Sequence, residues 1–182
     1  MEATGKQSEG RSVPWRMIGW GAAGFILLLP LIAKAPWSLS DFVVMGVLLG
    51  MVGTALEIAV RVSRSGGYRA GAALAVAAGF LLIWVNLAVG FLGSEDNPAN
   101  AMFIAVLGIA IAGAFVAGSD AARMARAMFA TAAAQILAGA VGLAAGLASP
   151  GPQGTYEVVM GTSLFAGLWL SSAWLFRRAA SR

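Results

Sequence analysis

Residues 101–118 read AMFIAVLGIAIAGAFVAG, eighteen consecutive positions without a charged or amide side chain. Wound as a helix at about 1.5 Å per residue, such a run is about 27 Å long, close to the hydrocarbon thickness of a bilayer. No soluble domain needs a stretch this long with no polar face. Working outward, five further apolar runs, at 17–33, 42–60, 70–93, 127–148 and 158–176, are bounded by charges or turn residues. Each falls within the length that spans a membrane as a helix, about 17–25 residues. Alternating patterning of β-barrel strands is absent. The expectation is an all-α polytopic membrane protein with six transmembrane helices, arranged as three helical hairpins.

Composition agrees. Of 182 residues 59% are hydrophobic and only 11% charged, and mean hydropathy is +0.82. Soluble domains carry about 25% charged residues, so this chain has too few to cover an aqueous surface. It contains no His and no Cys, which excludes disulfides, thiolate chemistry and the commonest general base and metal ligand. No Ser/His/Asp, metal-ligand or phosphate-loop constellation is present, and no enzyme, cofactor or metal is implied.

Loop charge orients the spans. Eleven of the twelve cations fall on one side: Lys6, Arg11 and Arg16; Arg61, Arg64 and Arg69; Arg123 and Arg126; and Arg177, Arg178 and Arg182. Only Lys34 falls on the other. The positive-inside rule makes the eleven-cation side cytoplasmic, with both termini there. This accounts for the basic pI of 10.4, and no basic stripe interleaved with aromatics points to nucleic acid. Trp15, Tyr68 and Trp174 are expected at cytoplasmic interfaces and Trp37 and Tyr156 at outer ones. Trp20, Trp84 and Trp169 lie deeper and are expected between helices. Residues 1–13 are polar and expected to be disordered, 14–178 form the membrane domain, and 179–182 are a cytoplasmic tail. Residues 1–35 also resemble a signal peptide, but the 17-residue apolar stretch exceeds the usual h-region of about 7–15 residues, and a retained helix is expected.

Spans 3 and 5 are rich in Ala and Gly, which suits close helix contact better than lipid contact, and they are expected to be the buried ones. Gly46/Gly50, Gly67/Gly71 and Gly142/Gly146 are the Gly pairs four apart. Chance supplies about three such pairs, so they do not imply dimerisation. Residues 22–25 (AAGF) recur at 77–80, and 43–46 (VVMG) at 158–161; low complexity produces such matches.

Three ionisable or amide side chains fall within the spans. Glu57 precedes Arg61 by one turn, the favourable order for a helical ion pair, yet an intramembrane carboxylate is also an ion or proton site by default. Asn86 and Gln135 differ in expected depth by roughly 12 Å and are expected each to bond backbone or a hydroxyl across helices. The densest polar cluster is the outer loop 93–100, GSEDNPAN. Asn97 before Pro98 marks a helix start. Glu95, Asp96, Asn97 and Asn100 form the candidate functional surface, either a capping loop or a site for a small cation or partner, since carboxylates and amides are hard oxygen ligands. Asn97-Pro98-Ala99 spells the aquaporin triplet, but aquaporins carry two, in re-entrant half-helices; a short loop cannot re-enter, and a water channel is rejected.

The run 84–90 (WVNLAVG) with 93–100 (GSEDNPAN) resembles an uncharacterised family of proteobacterial multi-pass inner-membrane proteins that share a W-x-N-x-A-V-G…G-x-E-D-N-P-A-N core. The resemblance covers about residues 66–179. It implies a bacterial inner membrane and marks the loop as the family's signature, without an activity. The expected role is a non-enzymatic accessory or interaction subunit, in contact with the lipid bilayer and with a protein partner or further copies of itself. The alternative is a small transporter or channel using Glu57, Asn86 and Gln135.

Overall fold

The computed structural model describes the backbone of residues 15–181 and the side chains of 16–181. The polar segment 1–13, and Arg182 of the expected tail, lie outside the described residues. All regular structure among them is helical: α1 (Trp15–Ile32), α2 (Leu39–Val62), α3 (Gly66–Ala88), a 3-10 turn (Pro98–Asn100), α4 (Ala101–Ala117), α5 (Ala121–Ala144) and α6 (Pro152–Ala180). Five segments are long and apolar enough to cross a membrane: α2, α3, α5, α6, and α4 taken together with its leading 3-10 turn. The first helix is a shorter apolar one, over Arg16–Ile32. Each helix turns large apolar side chains outward, for instance Ile104, Ile111 and Phe115 on α4. In water these would be a sticky patch; against lipid they cost nothing.

Helix ends depart from the apolar runs where local chemistry intervenes. The apolar run 70–93 continues past α3, but the helix stops at Ala88. Gly90 sits at φ +73°, and a Cβ there would strike the Ser94 backbone. Beyond it Phe91 and Leu92 fold back into the core as loop, both buried. Conversely, α5 begins at Ala121, six residues before the apolar run, because Asp120 caps it by accepting from the Arg123 N–H at 3.0 Å. That backbone hydrogen bond, more than the neighbouring arginines, holds the Asp120 carboxyl below its usual range. Arg123 and Arg126 therefore stand on the first turns of a helix. Similarly α6 runs on to Ala180, so Ala179 and Ala180 of the expected tail are helical.

The chain divides into two compact units, one ending at Gly53 and one beginning at Thr54. In the first, α1 and the start of α2 run antiparallel. The Trp20 ring lies where a Cβ on Gly53 would sit, and Leu27 faces Gly46 at 3.8 Å.

In the second unit α6 packs between α3 and α5, and α4 packs on α5, whereas α3 and α4 touch little. Sequence neighbours are thus not always the packed pair. Close approach is set by small residues. Gly67 meets Ala179 and Gly71 meets Phe176, which places α3 and α6 antiparallel. Gly113 faces the Ala127 Cβ, so that α4 and α5 approach as nearly as backbones can. Gly139 sits against Thr162. Where apolar side chains are no better solvated by one another than by lipid, this close contact supplies the association energy. Of the two helices expected to be buried, α5 is the most buried helix, but α3 is no more buried than α4; α6 takes the second place. Small residues alone do not decide burial, because α6 closes the bundle with large ones, Phe165, Trp169 and Phe176.

The aromatic layout also differs from expectation. Tyr68 is buried, donating to the Gly118 carbonyl at 2.9 Å and meeting Phe176 edge-on. It ties the start of α3 to the end of α4. Trp20 and Trp84 are exposed, and only Trp169 of the three deep tryptophans is enclosed.

Candidate functional site

The loop between α3 and α4 is built around two asparagines. Asn100 is buried, its Oδ1 accepting from the N–H groups of Phe91 (3.0 Å) and Leu92 (2.8 Å), its Nδ2 donating to the Ser94 carbonyl. The side chain therefore replaces the helical partners lost when α3 stops early. Asn97 caps the 3-10 turn by accepting from Ala99 N–H, with Pro98 at the first position, as the Asn-Pro pair predicts. Its Nδ2 reaches further, donating to Leu92 O at 2.9 Å and to Leu147 O at 3.3 Å. Ser149 donates to Gly93 O. The loops before α4 and before α6 are thereby bound into one platform. Phe91 anchors it from below, 4.0 Å between centroids from Phe103 and 5.8 Å from Phe165.

The four candidate surface residues divide. Glu95 and Asp96 are exposed on the platform; Asn97 and Asn100 turn inward and hold it. Both amide oxygens already accept backbone N–H groups, so the two carboxylates are the exposed oxygen ligands of the loop. No group of three or more His, Cys, Asp or Glu among the described residues is placed to hold a metal ion.

The intramembrane polar residues are not hydrogen-bonded to one another. Glu57 accepts from Arg61 at 3.0 Å, its side chain 15% exposed and that of Arg61 70%. Asn86 donates to Leu82 O on its own helix, at 2.7 Å, while its Oδ1 is buried without a partner. Gln135 is fully buried, and neither its Nε2 nor its Oε1 has a partner, so the expected bond to backbone or a hydroxyl is not made. Gln135 therefore bonds neither Asn86 nor Glu57. By contrast, two other buried hydroxyls are satisfied: Thr131 donates to Ala127 O and Ser172 to Gly71 O.

Two residues join Gln135 that the sequence does not flag as polar centres. Thr162 Oγ1 and Trp169 Nε1 are likewise buried without a partner. Each such group costs about 1–3 kcal/mol in a protein interior, and bulk water cannot relieve it at membrane depth. The only signal in the sequence is spacing: Thr162 and Trp169 stand seven apart, two turns along one face of α6.

The fold and these sites define the class, an all-α multi-pass membrane protein. No family model, curated protein or solved structure matches the chain closely enough to place it further.

Proposed function

We propose that the chain is a non-enzymatic accessory or interaction subunit of a bacterial inner membrane, crossing it six times in three hairpins with α1 as the sixth span and both termini cytoplasmic. The observation that supports this reading is the platform: two exposed carboxylates, Glu95 and Asp96, on a loop whose backbone is pinned by Asn97, Asn100 and Ser149. A rigid acidic display loses little entropy on docking and suits a basic surface on a protein partner or on another copy. The W-x-N…E-D-N-P-A-N resemblance to proteobacterial inner-membrane proteins centres on the same loop. A photo-crosslinking residue at position 95, in native membranes, should give one discrete protein adduct that Asp96→Asn weakens. The same residue at lipid-facing position 115 serves as control. Equal adducts at both positions would refute the reading.

A small transporter or channel is the second reading. It is favoured by the partnerless amide of Gln135 and the half-satisfied Asn86, and weakened by the pairing of Glu57 with Arg61. Uptake into vesicles that responds to Gln135→Leu but not to Glu95→Gln would replace the first reading by this one.

A further inference from the structure

By helical spacing, Gln135 stands on the face of α5 whose Gly139 meets Thr162, and Trp169 on the face of α6 that carries Thr162. Gly139 abuts Thr162, and a Cβ at position 139 would collide with the Thr162 hydroxyl, so the two helices are in register there. Gln135 lies four residues along α5 from that contact, about 6 Å, and Trp169 seven residues along α6, about 10 Å. The α5–α6 loop is short, the helices run antiparallel, and both displacements point the same way. The level of Gln135 thus falls between those of Thr162 and Trp169. The tip of the Trp169 indole reaches to 3.8 Å from the Gly79 Cβ position, so the ring also borders α3. From Gly79, Asn86 is seven residues further along α3, which brings its unpartnered Oδ1 to about the level of Thr162.

The unpartnered atoms have a definite chemistry. Trp169 Nε1 and Gln135 Nε2 donate, Gln135 Oε1 and Asn86 Oδ1 accept, and Thr162 Oγ1 does both. No charged side chain belongs to the set, so an ion would enter without compensation, at high cost in an apolar bundle. A pure acceptor or pure donor would leave half the set unsatisfied. The levels are separated by about 4–6 Å, the span that one water-sized molecule bridges with two hydrogen bonds.

We propose that Gln135, Thr162 and Trp169 form an internal binding site for a small uncharged molecule that both donates and accepts hydrogen bonds, either water or a solute of similar size. The site is separate from the acidic platform and independent of the role proposed for it.

Infrared difference spectra of the protein in H2(16)O against H2(18)O test the water arm, and native mass spectrometry in mild detergent tests the solute arm. Wild type should show either isotope-sensitive O–H stretching bands or a small neutral adduct. Gln135→Met, nearly the same shape without the amide, should lose that signal, and Thr162→Val should shift or lose it. Ultraviolet resonance Raman, as wild type minus Trp169→Phe, should report a hydrogen-bonded indole N–H. If Gln135→Met does not fold, Trp169→Phe carries the same infrared comparison. Spectra and masses that coincide between wild type and the variants would overturn the proposal. So would a free indole N–H at Trp169.

Discussion

Asn97 shows how much one side chain decides beyond its sequence role. As a cap alone it would tolerate aspartate, because both residues cap well. The structure also uses its Nδ2 to donate to Leu92 O and Leu147 O, and aspartate has no donor there. Asn97→Asp should therefore lower the melting temperature in detergent nearly as far as Asn97→Ala, by about 1–2 kcal/mol of stability. Asn100→Ala should cost more, about 2–3 kcal/mol, because it leaves the Phe91 and Leu92 amides without partners. Thermal melts of the three variants side by side check the order. Glu57 is the counter-example. Its bond to Arg61 is an ordinary helical pair, worth about 0.2–0.5 kcal/mol, so Glu57→Gln should fold and accumulate in membranes like wild type. A large drop in its abundance would assign the carboxylate a larger structural role.

Among the elements, α5 does most of the joining: it packs on both α4 and α6 and is the most buried helix. Its contact with α4 narrows to Gly113 against Ala127, where an added Cβ would lie 2.6 Å from the Ala127 Cβ. Neither methyl can rotate away. Gly113→Ala should force the helices apart and destabilise the bundle by about 1–3 kcal/mol, the usual cost of overpacking. Gly142→Ala meets only the ends of the flexible Leu92 side chain and should cost less. Chemical denaturation in mixed micelles, followed by helical circular dichroism, separates the two. Inversion of that order would mean that α4 and α5 pack elsewhere than at Gly113.

For the whole molecule the governing asymmetry is charge. Described arginines gather where α2 ends and α3 begins, where α5 begins and where α6 ends, and Arg178 lies 4.1 Å over the Trp174 ring. The acidic platform stands at the other ends of α3 and α4. With the arginine-rich end cytoplasmic by the positive-inside rule, alkaline phosphatase fused at residue 97 should be active and a C-terminal fusion inactive. A fluorescent protein in the same places should show the reverse. An active phosphatase at the C-terminus would refute the orientation.

The apolar runs by themselves determined the helical class and approximately where each helix lies, because bilayer thickness and backbone hydrogen bonding leave few alternatives; of the six spans expected, five are long enough to cross and the first is shorter. The Asn97-Pro98 turn and the Glu57–Arg61 pair were legible for the same reason: both are interactions within a few residues of chain. Tertiary structure alone decided the rest. That α6 rather than α3 joins α5 in the core, that Tyr68 is buried, that Phe91 and Leu92 leave the helix, and that Asn100 holds them there all depend on contacts between residues far apart in sequence or on backbone amides that any residue type carries. The unpartnered polar atoms of Gln135, Thr162 and Trp169 belong to this second group. Whether a buried polar atom is satisfied is a property of its neighbours in space, and no pattern along the chain records it.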